Sequence, residues 1–261
     1  MDLLNGYDID LTGVDGQELD PTRISTLQSL LLDNFGQDMV VESASRLKSK
    51  KNVVVRIDVV KGSAKESMPI VAKLFIANRF HIELEKLRLS RKGGLAVPDV
   101  IAAKSGVILM TFIPGETLVD RINRTFNPEL IDALASWYYK YHSIHAMIKG
   151  DPRLRNFIWN DNKLFGLDFE ESRVGHWMLD IAGIAASLID TKPIFDARKR
   201  SLSWRFLEKY LEFRGSERNP EIDHLFLETI SALLAQTSKW RNDDEIMEIS
   251  DQIKSGRMPV E

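Results

Sequence analysis

The sequence contains no cysteine among its 261 residues. This absence excludes a disulfide framework, a thiolate metal site and a cysteine nucleophile. It fits a reducing compartment, so we expect the protein in the cytoplasm. The first basic residue, Arg23, follows six acidic ones, so the positively charged start of a secretory signal is also missing.

Long apolar runs and an excess of one charge are absent as well. The longest apolar stretches, 107–114 and 181–189, are shorter than the ~18 to 20 residues of a spanning helix, so we expect no membrane span. The 35 basic and 38 acidic side chains give a net charge of -3, which does not suit a protein that neutralises many phosphates. Nucleic acid is therefore not expected as a partner. With 44% hydrophobic and 28% charged residues, the composition is that of a folded globular protein.

The hydrophobic pattern of the first half predicts a strand-rich N-terminal lobe. Residues 1–20 are acidic and show no sustained period, so we expect a loosely attached lead-in there. Helical spacing over 20–36 predicts one short helix, and the stripe Leu84, Leu87 and Arg91 predicts the main helix of the lobe. Short segments rich in Val and Ile predict the strands. The strands are predicted at 39–45, 52–61, 69–76, 97–103 and 106–112, and the main helix at 80–92.

The pattern becomes helical after a predicted hinge at 113–116. The domains are therefore expected at 21–113 for the N-terminal lobe and 114–261 for the C-terminal lobe, and the whole is an α+β fold. One β-like island at 157–169 interrupts the helices. Those helices are predicted at 117–124, 128–147, 180–190, 195–213, 221–238 and 243–254.

One stretch after the long helix carries chemistry. It reads KGDPRLRNFIW from Lys149, and LDFE follows at 167–170. Asp151 and Asn156, five residues apart in a loop, place a carboxylate where it can take a hydroxyl proton and an amide oxygen where it can hold a hard cation. Asp168, at the far end of a predicted hairpin, can return beside Asn156 with a second oxygen for Mg2+. A lone Gly-Asp-Pro is usually only a turn, but the complete spacing predicts phosphoryl transfer.

These motifs, with MLDIA around Asp180, resemble the catalytic segment of the protein-kinase-like phosphotransferases, most closely the aminoglycoside phosphotransferase and choline kinase superfamily. The resemblance covers about residues 39–190. It implies a bilobal fold, with an antiparallel five-stranded N-lobe and a mostly helical C-lobe. It also implies a kinase that uses ATP and Mg2+ to phosphorylate a hydroxyl group of a small molecule.

The resemblance assigns roles to individual residues of the C-terminal lobe. Asp151 matches the catalytic base, and Asn156 and Asp168 match the two Mg2+ ligands. Asp180 matches a structural aspartate that ties the catalytic loop to the next helix. A simple helix N-cap ahead of Ile181 is the alternative for Asp180.

Two N-terminal segments resemble the nucleotide-binding part of the same superfamily. The segment IVAKLF at 70–75 implies that Lys73 clamps the α- and β-phosphates, with an edge-strand lysine as the alternative. Its partner would be a glutamate of the next helix, for which spacing favours Glu83 over Glu85. The segment ILMTFIPG at 108–115 implies a fifth strand and hinge, although a plain buried strand fits it equally well. There, adenine would bond backbone groups around Thr111 to Ile113, and Met110 would line the back of the pocket.

Three departures from the family pattern stand out. The turn at 43–52 has no glycine, so any cover for phosphates would come from its Ser and Lys residues, and a solvated basic turn is the alternative. Lys149 stands where the family has a histidine. Arg153 occupies the position at which Ser/Thr protein kinases have a lysine that meets the transferred phosphate, with Arg155 beside it. We expect Arg153 to stabilise that charge, and a surface arginine pair is the alternative.

The sequence restricts the acceptor without identifying it. No long activation segment for docking a polypeptide separates Asp168 from Asp180, so an aminoglycoside, sugar or amino alcohol is favoured. An atypical Ser/Thr protein kinase and a catalytically inactive, nucleotide-binding protein are the two alternatives. A basic run in the C-terminal lobe is typical of solvated charge, but it also suits an anionic acceptor. It consists of Lys192, Arg198, Lys199, Arg200 and Arg205.

Overall fold

The computed structural model of the chain describes residues 7, 11–12, 16–49, 51–61, 66–256 and 258. The chain divides into two compact units: residues up to Arg91 with Pro98–Ile113 form the first, and Lys92–Val97 with the residues from Pro114 form the second. Most of the predicted lead-in over 1–20 lies outside the described residues. In its described part, Leu19 is buried in the core of the first unit rather than loosely attached.

The first unit is built on a five-stranded antiparallel sheet with the strand order β1-β2-β3-β5-β4. Strand β1 continues to Leu47, two residues beyond its predicted end, because residues 44–47 keep pairing with β2. The strands are β1 (Val40–Leu47), β2 (Val53–Val60), β3 (Ser67–Leu74), β4 (Val100–Lys104) and β5 (Val107–Thr111), and the helices are α1 (Thr22–Phe35) and α2 (Phe80–Lys92).

The core of this unit follows from strand alternation. Every second residue of β2, from Val53 to Val59, is buried, because successive side chains of a strand point to opposite faces. Helix α1 contributes Leu27, Leu31 and Phe35 to the same core. Each such side chain contributes about 1.5–3 kcal/mol when it leaves water, so this face holds the sheet and α1 together.

Helix α2 turns a partly polar face to the interior. The predicted stripe is wrong in part: Leu87 is buried, but Leu84 is only half-buried, and Arg91 is exposed and pairs with Asp99. The side chains that are buried are Phe80, Glu83, Lys86, Leu87 and Ser90. The spacing of hydrophobic residues could not predict this face, because the face includes charged side chains. A buried glutamate is tolerated only where it has a partner of opposite charge, and spacing does not show that partner.

The second unit is mainly helical. Helices α4 and α7 start at an Asn-Pro pair, where Asn127 and Asn219 accept a hydrogen bond from the first turn and proline fits the next position. Helix α5 is buried on almost every side, which is typical of a central helix. The helices are α3 (Leu118–Thr125), α4 (Pro128–His145), α5 (Met178–Ile189), α6 (Ala197–Phe213), α7 (Pro220–Arg241) and α8 (Asp244–Lys254).

A small three-stranded sheet accompanies these helices, with the order β6-β7-β8. Its strands are β6 (Glu116–Thr117), β7 (Phe157–Asn160) and β8 (Lys163–Gly166). The hairpin β7–β8 is the predicted β-like island, whereas β6 is too short for its two residues to show a period in the sequence. Among the described residues, none of the helices combines the length and the hydrophobicity needed to cross a membrane.

Candidate active site

The loop between α4 and β7 is anchored at its start by backbone pairing. Ile148 exchanges two backbone hydrogen bonds with Arg173, at 3.0 and 3.1 Å. Gly150 follows with φ +85°, and a Cβ atom there would lie 2.1 Å from the carbonyl oxygen of Glu171. Only glycine fits this position, so the approach to Asp151 is fixed by the backbone.

Asp151 is half-buried, and both of its carboxylate oxygens are held. Oδ2 accepts a hydrogen bond from Nδ2 of Asn156 at 2.9 Å, and Oδ1 accepts one from Nε of Arg153 at 2.8 Å. A one-turn 3₁₀ helix over Leu154–Asn156 buries the Asn156 side chain. Because the amide nitrogen of Asn156 is used by Asp151, its Oδ1 atom is the one available to a cation.

Asp168 follows strand β8 and is brought next to the same loop. The backbone N–H of Leu167 donates to the carbonyl oxygen of Asn156 at 2.8 Å, and Asp168 is the next residue after this contact. Its backbone is left-handed, with φ +60°, which is uncommon for a residue other than glycine. The structure thus brings together Asp151, Asn156 and Asp168, and the last two offer a carboxamide and a carboxylate oxygen, which are hard ligands of the type that Mg2+ takes.

Lys149 links the two acidic positions from inside the protein. Its side chain has no exposed surface, and its Nζ donates to the carbonyl oxygens of Asp168 at 2.7 Å and Asp151 at 3.3 Å. The rings of Phe157 and Phe169 have their centroids 5.9 and 5.5 Å from Nζ. A buried ammonium needs such acceptors, so Lys149 supports the backbone at both positions. Sequence reasoning saw this residue only as a departure from the family pattern.

Asp180 ties the loop to two helices. It is completely buried, and its carboxylate accepts from the backbone N–H groups of Lys149 at 2.6 Å and Gly150 at 3.0 Å. Its Oδ2 also lies 3.0 Å from Nε2 of His142 in α4. The N-cap alternative is wrong, because α5 begins at Met178 and Asp180 lies inside its first turn. A carboxylate there is favoured by the positive end of the helix.

One aromatic hydroxyl group, that of Tyr210, completes this network, whereas that of Tyr138 is buried and has no hydrogen-bond partner among the described residues. Tyr210 lies 2.7 Å from Nδ1 of His142, and burial raises the pKa of its phenol. Burial, with the negative charges of Asp180 and Asp151, holds the pKa of Tyr138 well above its ordinary value. Both phenols therefore stay neutral at physiological pH. The sequence analysis missed His142, Tyr138 and Tyr210, which lie on helix faces that periodicity assigns to the core.

The loop is also packed directly against α5. Ser187 accepts a hydrogen bond from the backbone N–H of Leu154 at 3.3 Å. One turn earlier, a Cβ atom at Gly183 would lie 2.2 Å from Cγ of Pro152. The glycine lets the ring next to Asp151 touch the helix, so the position of the carboxylate depends on this contact.

In the first unit, Lys73 pairs with Glu83. The atoms Nζ and Oε2 are 2.5 Å apart, and both side chains are buried. Glu85 lies largely in solvent and instead contacts Lys86 at 2.9 Å. The edge-strand alternative for Lys73 is wrong, because β3 lies between β2 and β5. An ion pair buried to this extent holds the lysine in one direction.

The predicted adenine-binding segment runs along β5. Met110 is buried there and pairs with Val71 of β3, and Ile113 follows the end of the strand. Thr111 already uses its backbone N–H to bond the carbonyl oxygen of Asp99, and its hydroxyl accepts from the N–H of Asp99. The N–H of Thr111 is therefore not available to a base, which restricts the predicted contacts to the other backbone groups of this segment.

The sequence matches no protein-family model and no curated protein. The structure, by contrast, is similar to solved kinase structures. An amicoumacin kinase in complex with AMP-PNP, Ca2+ and Ami is 12% identical, and the match covers 91% of this chain and 94% of that chain at a TM-score of 0.62. A choline/ethanolamine kinase family protein from Mesorhizobium loti is 13% identical over 90% of this chain and 98% of that chain, with a TM-score of 0.60.

A third similar structure is the ternary complex of streptomycin, ATP and APH(2″)-IIa. It is 13% identical, and the match covers 92% of this chain and 96% of that chain at a TM-score of 0.52. At such low identity the similarity concerns the fold, and it confirms the α+β class and the resemblance derived from the sequence motifs. The chain therefore has a protein-kinase-like fold, similar to the folds of the amicoumacin kinase and of the choline/ethanolamine kinase family protein.

Proposed function

We propose that the protein is a kinase that transfers the γ-phosphate of ATP to a hydroxyl group of a small molecule. The observation that carries the proposal is the fixed arrangement around Asp151, whose two oxygens are held by Asn156 and Arg153 in a loop that Asp180 anchors. A carboxylate fixed in this way is suited to orient an acceptor hydroxyl and to take its proton. The fold comparisons support the class of reaction.

The other site residues have distinct tasks in this proposal. Lys73, held by Glu83, contacts the α- and β-phosphates, and Met110 and the backbone near Thr111 and Ile113 contact adenine. Arg153 offers its remaining guanidinium N–H groups to the phosphoryl group during its transfer. Asn156 and Asp168 would hold Mg2+, which would supply charge neutralisation for the nucleotide phosphates.

Two observations favour a small-molecule acceptor and an active enzyme. The segment between Asp168 and Met178 is short, and its Arg173 is paired to Ile148, so it offers no long platform for a polypeptide. The predicted base, Asp151, is hydrogen-bonded to the predicted metal ligand Asn156, and the backbone carbonyl of Asp168 accepts a hydrogen bond from Lys149. A protein that binds nucleotide without catalysis has no need for these bonds, so the inactive alternative is disfavoured.

The test is the substitution Asp151→Asn, with Asp161→Asn as the matched control. Asp161 is an exposed aspartate in the β7–β8 turn, so its change alters charge equally without touching the loop. Because the base is lost, we expect Asp151→Asn to lower kcat by roughly 10²–10⁴-fold. The fall in kcat is measured as transfer of labelled γ-phosphate from ATP to a panel of sugars, amino alcohols and aminoglycosides.

Nucleotide binding separates loss of chemistry from loss of the fold. Both variants should bind AMP-PNP with Mg2+ as the wild type does, measured by calorimetry. Full turnover by Asp151→Asn would rule out Asp151 as the base, and label that appears on protein instead of a metabolite would support the protein kinase alternative.

A further inference from the structure

Four basic side chains surround the end of α5, close to Asp151. We call them the basic cluster: Arg153, Arg155, Lys199 and Arg241. They come from three places in the second unit, namely the catalytic loop, α6 and the last residue of α7. The sequence analysis singled out Lys199 as part of a basic run, but it gave no reason to connect it with Arg241 or with the loop.

Contacts around the end of α5 bring these residues together. Leu154, which lies between the two loop arginines, is bonded to Ser187, one turn before Asp190. Arg241 contacts Asp190, with Nη2 and Oδ2 2.8 Å apart. Lys199 donates to the carbonyl oxygen of Thr191 at 2.6 Å and to its hydroxyl at 2.9 Å. The catalytic loop, α6 and α7 therefore each place a basic residue near residues 187–191.

Two of the four cations of the cluster are held in ion pairs with aspartates. Arg153 is paired with Asp151 and Arg241 with Asp190. Arg155 is exposed, and it donates no hydrogen bond to a protein group within the part of the chain that the structure describes. The positive charges of Arg153 and Arg241 act on it, as do the negative charges of Asp151 and Asp168. A guanidinium in such surroundings gains free energy when an anion binds it.

Burial also acts on Lys199 of the cluster and on Asp190, the partner of Arg241. Burial lowers the pKa of Lys199 to about 8, although Asp196 and Asp190 act against it. Burial also raises the pKa of Asp190, against the influence of Arg241 and Arg153. A bound anion would add a second counter-charge beside these partly desolvated groups.

We propose that the phosphate acceptor is an anionic hydroxyl compound, whose carboxylate or phosphate group binds to Arg155 and Arg241 beside Asp151. This deepens the proposed function and rests on it. In the transfer, the acceptor oxygen bonds to the γ-phosphorus, and the bond from that phosphorus to the β–γ bridging oxygen breaks, leaving its electron pair on ADP. The hydroxyl proton goes to the Asp151 carboxylate. A quaternary ammonium acceptor would be repelled by the same cluster.

Anion binding can be tested without knowing the acceptor. Inorganic phosphate and acetate are titrated into the wild-type protein with saturating AMP-PNP and Mg2+, at constant ionic strength, and choline is the cationic comparison. Prior occupation by AMP-PNP keeps the probes away from the nucleotide phosphate positions. We expect one or both anions to bind in the millimolar range and choline not to bind, and the phosphate and acetate arms tell the two anion classes apart.

The variants are Arg155→Gln and Arg155→Gln/Arg241→Gln, with Arg88→Gln as the control. Arg88 is exposed on α2, so its removal changes net charge without altering the cluster. We expect the dissociation constant of the bound anion to rise at least tenfold in the double variant and less in the single one. Arg88→Gln should leave it unchanged. Because Arg155 is exposed and has no hydrogen-bonded protein partner, Arg155→Gln tests the idea even where the double variant unfolds.

Two further outcomes decide between the proposals. If AMP-PNP fails to bind the wild type, the proposed function itself is wrong. If AMP-PNP binds but both anions bind the wild type no better than the double variant, or choline binds better than either, only the anionic acceptor is wrong. In turnover assays, we expect the enzyme to phosphorylate glycerol 3-phosphate and gluconate with a higher kcat/KM than glycerol and sorbitol. Arg155→Gln should reduce that preference.

Discussion

At the scale of single residues, the buried Lys149 is the feature that sequence reasoning was least able to interpret. Its position is fixed by contacts with Asp168 and Asp180, 19 and 31 residues away along the chain. Pairs at that separation depend on how the hairpin β7–β8 and α5 return to the loop. Local spacing carries no information about these contacts. By contrast, Asp151 and Asn156 could be expected to lie together because they are only five residues apart in one loop.

Replacing Lys149 should weaken the metal site more than nucleotide binding. Lys149→Met removes the donor from two carbonyl oxygens, which costs about 1–3 kcal/mol of stability for each buried group left without a bond. We expect the Mg2+ concentration for half-maximal activity to rise several-fold, because Asp168 loses its backbone support. Lys149→His keeps one donor and should be intermediate. Kinetics at varied Mg2+ measure this, with Lys163→Met, an exposed lysine of β8, as the control.

Lys199 gives a prediction about pH. Its folded-state pKa is about 8, whereas the unfolded chain keeps the proton up to the ordinary value of 10.5. Between these values the unfolded state binds more protons, so the stability contributed at this residue rises with pH. We expect the free energy of unfolding of the wild type, relative to Lys199→Met, to increase from pH 7.5 to pH 10 in urea titrations. A difference that does not change with pH would contradict the lowered pKa.

At the scale of elements, helix and strand positions were predictable because their signals are local. Strand β2 alternates, and α4 and α7 begin at Asn-Pro, so their existence follows from the sequence. The buried face of α2 was not predictable, since Glu83 is buried only because Lys73 lies opposite it on another element. The close approach of α5 to the catalytic loop was equally invisible, because a glycine inside a helix has several explanations.

Gly183→Ala tests that approach. Alanine favours a helix by about 1 kcal/mol over glycine, yet its Cβ atom would lie 2.2 Å from Cγ of Pro152. We expect kcat to fall at least tenfold while α5 stays folded, because the loop and Asp151 must move away. Adding Pro152→Ala removes the opposing Cγ atom and should restore part of the activity relative to Pro152→Ala alone. Unchanged kcat in Gly183→Ala would show that the loop position is not set by this contact.

At the scale of the whole molecule, average charge and local charge lead to different conclusions. From a net charge of -3 we expect no nucleic acid as a partner, and nothing in that average reveals the basic cluster at the end of α5. The cluster exists because α5 and α7 both end beside the catalytic loop, which is a property of the fold. Composition could therefore restrict the class of partner but not the charge of the acceptor.

Ligand binding should also be visible in the stability of the whole molecule. A nucleotide at 100 times its dissociation constant stabilises the protein by about 2.7 kcal/mol. For a chain of this size, that corresponds to a rise of about 5–10 °C in the thermal midpoint. We expect this rise with AMP-PNP and Mg2+ for the wild type and for Asp151→Asn, since the proposed role of Asp151 is to act on the acceptor.

The stabilisation by nucleotide should be lost when the buried ion pair of the first unit is removed. Lys73→Met/Glu83→Gln removes the cation proposed to bind phosphate together with its counter-charge, so the fold is not left with a buried carboxylate that has lost its lysine. We expect this double variant to fold and to lose most of the thermal shift, because the α- and β-phosphates lose their clamp. Scanning calorimetry with and without AMP-PNP measures both quantities. An undiminished shift would show that the nucleotide is held without Lys73, and the assignment of β3 to phosphate binding would then be wrong.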